Sequence, residues 1–481
     1  MNGWQEPNGG KRIYLITDNT KMDGFTDYIK PEDIEHLYVT YSESRVNLGI
    51  HYYRNSLYSS NLVGICRIKS VDDETLYDAE GNELLIKVVP RFNVTVVELL
   101  NYIRDDDEFD RYMAPQTISN RHKEKDIEAI DRNEIFYFFE NEKPLKVDDG
   151  ISSENSIITV TVFLTLLRLL CRRPLMGRML KEEENLTGKI VIEKNIRSNT
   201  MHGRNDRFYC QYLRFSDDII ENQILKAALR KAKRFIVDYF GDYSKDNNNY
   251  ASMISYCSNA LRHISDIQCS GTACNGLKFS GCYTYYKPVM AMARMVLDDI
   301  SVESNGEIST TGYIVPYAIS MEKLFEVYVR AYLKKNGIES YRSKSDKGIR
   351  LEKYDNKTDV FMEEEGLSNP GKYISGSIKP DLILTDRESG ETVVFDVKYK
   401  DYTNGDSRND RLQLLAYSMM MNANNVGIIL PAQAEMEIFD ARRINSMENR
   451  TVKYHQMLLG MMKDNPTIAN YIKDNTFEKK D

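Results

Sequence analysis

The sequence predicts an α+β protein of several domains: a β-rich N-terminal domain, a helical middle region and a C-terminal α/β domain. Three observations predict it. Short runs rich in β-branched and aromatic residues, RIYLIT, HLYVTY, LVGICRI, LLIKVVPRF and EIFYFFE, fill the first third of the chain. Two long middle segments, VFLTLLRLLCRRPLMGRML and ENQILKAALRKAKRFIVDYF, keep apolar residues at three- and four-residue spacing. Towards the C-terminus a hairpin, a helix and a buried strand follow one another between Lys379 and Pro431. At 481 residues the chain is too long for one hydrophobic core, so two to four domains are expected.

Taken in order, residues 1–151 read as a small sheet or barrel, with turn signals such as Gly81-Asn82 between strands. One helix interrupts it, Val94 to Ile103, ahead of an acidic loop at Asp105 to Asp110. This region holds no catalytic constellation; the family resemblance given below implies that it binds a partner. Residues 152–304 form the helical middle domain, with the densest basic clusters of the chain: Arg172, Arg173, Arg178 and Lys181, then Arg230, Lys231, Lys233 and Arg234. Arg172, Arg173, Arg230 and Lys231 are the candidates for tracking DNA phosphates, and a solvated helix face is the alternative. The polar segment Ser301 to Gly312 reads as a joint. The third domain, 305–440, opens with a helix from Met321 to Lys335, capped by Ser320 and stopped at Asn336-Gly337. Residues 441–481 read as a polar tail with one helix.

Composition removes several classes. With 42% hydrophobic and 28% charged residues this is an ordinary globular chain. Its net charge of −8 gives no overall attraction for nucleic acid, so DNA contact must come from local patches or a partner. The longest apolar run, Ile157 to Leu167, is about half of the roughly 20 residues a membrane span needs. No secretory signal opens the sequence, and a cytoplasmic location is expected. Cys257, Cys269, Cys274 and Cys282 lie close to His263, but no C-x₂-C pair occurs, so free thiols are expected over zinc. P-loop, H-E-x-x-H and G-x-S-x-G motifs are absent, so a nucleotide-driven motor would have to be another chain.

The chemistry concentrates in KPDLILTDRESGETVVFDVKYK, Lys379 to Lys400. Glu388, Ser389, Gly390 and Glu391 supply turn chemistry between two apolar strands. A turn centred between Ser389 and Gly390 sets Asp381 opposite Lys398 and diagonal to Asp396, at roughly 5–8 Å. Alternation puts Asp396 and Lys398 on one face and Phe395 and Val397 on the other. Two carboxylates and the Val397 carbonyl suit a hard cation, Mg²⁺ with Mn²⁺ as a substitute, and Lys398 suits a nucleophilic water or a scissile phosphate. A surface hairpin with solvated charges is the alternative. Gln413 and Tyr417, four apart, share a helix face.

Pro380-Asp381, Asp396-Val397-Lys398, Gln413 and Tyr417 resemble the PD-(D/E)XK nuclease signature with the Q-x-x-x-Y helix of its RecB-like branch. More specifically the chain resembles the McrC family, nuclease subunits of modification-dependent restriction systems. LTGKIVIEKNIRSN, DDIIENQILKAALRKA and SMEKLFEVYVRAYL extend the likeness upstream. The resemblance implies a C-terminal PD-(D/E)XK domain that cuts double-stranded, modified DNA, and a partner, the McrB-like AAA+ GTPase hexamer, whose hydrolysis the chain stimulates. It also implies a glutamate from the first helix at the metal site, which falls on Glu326, with Glu322 one turn earlier as the alternative. A non-cleaving activator of a partner NTPase is the second functional reading.

Overall fold

A computed structural model describes residues 2–30, 33–34, 46–53, 55–70, 74–92, 94–103, 106, 116–118, 135–139, 145–146, 152–183, 189–240, 249–302, 308–310, 313–314, 316–341, 343–345, 347–352, 380–401, 408–432, 437–445, 451–460 and 465–477. The chain divides into two compact units: Met1–Tyr112, Gln116–Glu140 and Tyr317–Asp481 form one, Met113–Pro115 and Asn141–Pro316 the other. The stretches read as separate domains at 1–151 and 305–440 therefore fall largely in one unit. HLYVTY lies outside the described residues.

The first unit opens with a seven-stranded sheet: β1 (Gly3–Trp4), β2 (Lys11–Thr17), β3 (Leu62–Arg67), β4 (Glu83–Val89), β5 (Gln116–Ile118), β6 (Phe136–Phe139) and β7 (Tyr317–Ser320), in the order β1-β2-β4-β3-β7-β6-β5. β2 buries alternate residues, Arg12, Tyr14 and Ile16, as a half-covered strand should, whereas the inner strand β3 is buried throughout. Helix α1 (Val96–Ile103) falls where its apolar spacing places it. β7, more than 170 residues from β6 in sequence, pairs antiparallel with both β3 and β6. Gly64 makes this possible: its φ is +151°, and a Cβ there would lie 2.1 Å from the Tyr317 carbonyl oxygen.

β7 runs directly into helix α2 (Met321–Lys335), the expected helix. The Ser320 hydroxyl accepts from the Lys323 amide at 3.4 Å, and at the far end Gly337, with φ +84°, follows Asn336 and turns the chain away. α1 packs on α2 through Tyr102 and Tyr328, whose ring centres are 4.7 Å apart. The second sheet holds β8 (Ile349–Glu352), β9 (Leu382–Asp386), β10 (Thr392–Val397), β11 (Asn425–Ala432), β12 (Glu437–Asn445) and β13 (Thr451–Gly460), ordered β8-β9-β10-β11-β13-β12. β10, β11 and β13 are parallel, and helix α3 (Arg408–Met420) connects β10 to β11. Leu414 and Tyr417 of α3 bury against Val394, Val426 and Ile428.

The tail departs from the expectation of a polar helical segment. Its helix is present, α4 (Thr467–Asn475), but Thr451–Gly460 is a strand inside the sheet. His455 and Gln456 lend that strand its polar look. His455 is buried, and its ring nitrogens meet Asn425 Oδ1 at 2.8 Å and the Tyr471 hydroxyl at 3.0 Å, so the imidazole is satisfied within the core.

The second unit contains helices Ser152–Cys171, Ile192–Ser198, Ile220–Phe240, Asn249–Ala260 and Tyr286–Asp299, with a three-stranded sheet of Arg178–Glu183, Cys210–Ser216 and Lys189–Ile190. The first long helix ends at Cys171, not near 180. Pro174 cannot continue a helix, and Arg178 and Lys181 sit on a strand. The expected joint at 301–312 contributes a short antiparallel pair, Ile300–Val302 with Ile308–Thr310. Among the described residues, no helix is long and apolar enough to cross a membrane.

Candidate active site

The β9–β10 turn is built by Asp386. Its carboxylate accepts from the Ser389 hydroxyl at 2.6 Å and the Ser389 amide at 3.1 Å, and its carbonyl accepts from the Gly390 amide at 2.8 Å, where φ is +73°. The turn is therefore centred one residue earlier than expected. Leu382 pairs with Phe395 and Ile383 with Val394, a register shifted by two. Continuing it sets Asp381 opposite Asp396, not opposite Lys398. Because the shift is even, no side chain changes face, and Asp381, Asp396 and Lys398 still converge.

Asp396 is 1% exposed, and neither carboxylate oxygen makes a hydrogen bond among the described residues. Lys398 Nζ approaches Oδ2 at 3.0 Å as an ion pair out of hydrogen-bond alignment. Asp381 Oδ2 accepts from the Val397 amide at 2.8 Å, pinning the carboxylate to β10. Burial, and next the Asp396 charge, push the Asp381 carboxyl well above the usual carboxylate range. Burial alone would lower the Lys398 ammonium, but Asp396 and Asp381 outweigh it and hold its pKa above the ordinary lysine value. Two crowded carboxylates, one without hydrogen bonds, fit a divalent cation; among the described residues no third acidic, histidine or cysteine side chain completes a cluster.

α2 frames this pair from the side. Glu326 is held between Lys323 Nζ at 2.7 Å and Arg330 at 3.3 Å, and Arg330 in turn donates to the Asp381 carbonyl at 2.6 Å. The structure thus connects Glu326 to the site through Arg330. Glu322, the alternative, accepts from Asn61 at 2.9 Å, and its charge reaches Lys398. On α3, Gln413 donates to the Tyr417 hydroxyl at 2.6 Å while the Tyr417 ring is buried in the core, so the two act together as the shared face predicts. Lys400 pairs with Asp410 in the first turn of α3, tying the exit of β10 to that helix.

The four basic candidates of the second unit have different settings. Arg172 and Arg173 are exposed, with Arg173 over the Tyr285 ring at 4.9 Å. Arg230 donates to the Ile267 carbonyl and Lys231 to the Leu297 carbonyl, so both fasten backbone segments. His263 bonds Asp217 at 2.7 Å. Sequence reasoning missed Lys323, whose three-residue spacing to Glu326 was a legible signal, and Arg330, Asn61 and Arg91, whose contacts with Asp381, Glu322 and Tyr399 form only through the tertiary fold.

A family model described as "McrBC 5-methylcytosine restriction system component" matches residues 133–431. The chain belongs to that family. Glu326, Asp381, Asp396, Lys398, Gln413 and Tyr417 all lie inside the McrBC match, whereas Asn61 and Arg91 lie outside it. No curated protein matches the chain. Among solved structures, it is similar to a chain of the refined half-complex from the tetradecameric assembly of Thermococcus gammatolerans McrB AAA+ hexamers with bound McrC. That similarity has 13% identity and a TM-score of 0.38, over 93% of this chain and 94% of that one. A chain of the cryo-EM structure of the Thermococcus gammatolerans McrBC complex is similar at 14% identity and a TM-score of 0.27, over 67% of this chain and 88% of that one.

Proposed function

We propose that this McrBC-family chain is the Mg²⁺-dependent DNA endonuclease subunit of a restriction complex, acting with a McrB-like AAA+ GTPase hexamer whose GTP hydrolysis it stimulates. The observation that carries the reading is the buried Asp396 carboxylate, without hydrogen bonds, facing Asp381 and beside Lys398. A surface hairpin has no reason to bury that set. Asp381 and Asp396, with the Val397 carbonyl, would hold the ion. When bound, Mg²⁺ supplies Lewis acidity toward the scissile phosphate and lowers the pKa of a water.

The chain's own part follows from its geometry. Asp381 is fixed by the Val397 amide and, through its carbonyl, by Arg330, so it does not swing out of the site. Lys398 stays charged and oriented by Asp396, placed to hold the attacking water or to offset charge on the phosphate. Gln413 and Tyr417 order the neighbouring helix face. Arg172 and Arg173 are the exposed candidates for phosphate contact, while Arg230 and Lys231 serve the fold first. The exposed apolar side chains Ile192, Ile196, Met201 and Phe215 of the second unit are candidate contacts for a protein partner.

The test is cleavage of modified and unmodified DNA with Mg²⁺ and GTP, by the chain alone and with the gene-neighbour AAA+ protein. Cutting that needs the partner and falls at least about 100-fold in Lys398→Ala supports the reading. Wild-type cutting by that variant removes Lys398 from the mechanism. Stimulated GTPase without any cutting would establish the activator reading instead.

A further inference from the structure

We propose that Arg91, just past the end of β4, is a positioning residue for the Lys398 end of β10, so that the N-terminal sheet sets the catalytic strand in place. The proposal rests on the nuclease reading for its functional half; its structural half stands without it.

The geometry starts at the sheet edge. β2 and β4 run parallel and end together: the Asp18 amide donates to the Val89 carbonyl at 3.0 Å, and Asp18 Oδ1 accepts from the Arg91 amide at 2.8 Å. Arg91 is thereby fixed before its side chain does anything. Its guanidinium donates to the Tyr399 carbonyl at 3.0 Å and lies over the Tyr399 ring at 5.2 Å. Phe92 meets the same ring edge-on at 5.1 Å, and Phe325 of α2 approaches it at 6.0 Å. Tyr399 directly follows Lys398, whose amide donates to the Ile429 carbonyl of β11 at 3.0 Å. The main chain around Lys398 is therefore held by β11 before the residue and by Arg91 just after it.

A salt bridge that merely glues two sheets together is the plainer reading, and the charge arrangement speaks against it. Arg91 Nε and Asp18 Oδ2 are buried 4.0 Å apart, beyond hydrogen-bond distance, so the ion pair is loose. Buried charges paired that loosely oppose folding. The well-formed contact of the cluster is the one to the carbonyl after Lys398. A second arm of the same sheet reaches α2: the Asn61 carbonyl accepts from the Met321 amide at 3.0 Å, and its side chain donates to Glu322 at 2.9 Å. Both elements that flank the carboxylate pair are thus anchored on strands the nuclease region does not contain.

The experiment uses the full-length chain with the gene-neighbour AAA+ protein, comparing wild type, Arg91→Ala, Arg91→Lys and Asp18→Asn at a temperature where each is folded by circular dichroism. Arg91→Ala is expected to lower the turnover of DNA cleavage by roughly 10- to 100-fold with KM for DNA unchanged, as a displaced catalytic group does. Arg91→Lys should restore part of it, and Asp18→Asn should lie between. Hydrogen–deuterium exchange of the Lys398 to Lys400 amides should quicken in Arg91→Ala while the β2 and β4 amides keep their protection. Should Arg91→Ala not fold, Arg91→Lys and Asp18→Asn carry the same comparison. Unchanged exchange at Lys398 to Lys400, or faster exchange with wild-type turnover, overturns the proposal. A wild-type protein that cuts under no condition removes the nuclease reading, and the exchange result alone then decides whether Arg91 positions the strand.

Discussion

At Asp396 the fold buries a carboxylate beside Lys398, whose Nζ lies 3.0 Å from it. A carboxylate at 1% exposure, opposite a second one and without hydrogen bonds, is a feature that stability alone does not favour. Asp396→Asn is therefore expected to stabilise the metal-free protein by about 1–2 kcal/mol, by relieving the repulsion of Asp381, and to abolish cleavage. Melting in EDTA and in Mg²⁺ checks it: the wild type should gain stability with Mg²⁺ and the variant should not. His455 makes a separate prediction. Burial lowers its pKa from 6.5 to about 4, so the unfolded chain binds a proton there before the folded one does. Its contribution is present above pH 6.5 and is lost as the pH falls toward 4. Replacing it with Gln should flatten the wild-type decline in unfolding free energy over that window, by up to about 3 kcal/mol, in urea titrations at pH 7 and 4.5. The acidic and lysine residues of the site were legible because they repeat within one hairpin. Arg330, Asn61 and Arg91 were not, because their partners lie 51, 261 and 308 residues away.

Among the elements, α2 was read correctly at both ends because capping is local chemistry: Ser320, Asn336 and Gly337 announce it. The hairpin register differs by two from the expected one because Asp386, which the turn Glu388 to Glu391 leaves out, folds its own side chain into the turn. β13 was missed because a buried histidine satisfied by Asn425 and Tyr471 looks polar until its neighbours are known. β7 gave no signal at all, since YAIS is short and its partners are remote. Its seat depends on Gly64, where any Cβ would collide with the Tyr317 carbonyl in a backbone conformation that favours glycine. Gly64→Ala should destabilise by more than about 2 kcal/mol, above an ordinary Gly substitution. Because β7 leads straight into α2, amide protection in the first turn of α2 should fall with it. A variant that melts like the wild type would show that β3 and β7 separate more easily than their pairing implies.

For the whole molecule, the order of the chain and the order of the fold differ. The second unit is inserted between β6 and β7, which are antiparallel neighbours with Phe138 opposite Tyr317. The two connections to the insertion therefore leave the first unit from neighbouring strands, and within the second unit Leu145 pairs with Ile314. This alters how function is best dissected. A fragment of about residues 1–300, natural from a linear division of domains, lacks β7 and leaves a gap between β3 and β6. Replacing Asn141–Pro316 with a short Asn-Gly turn instead keeps every strand of both large sheets. That protein is expected to be soluble, to melt in one transition and to retain exchange protection in β3, β7 and β10. If the exposed apolar side chains of the second unit meet the AAA+ partner, it should also lose stimulation of the partner's GTPase while Mg²⁺ still raises its melting temperature. Loss of protection in β3 and β7 would instead mean that the insertion is part of what folds the first unit.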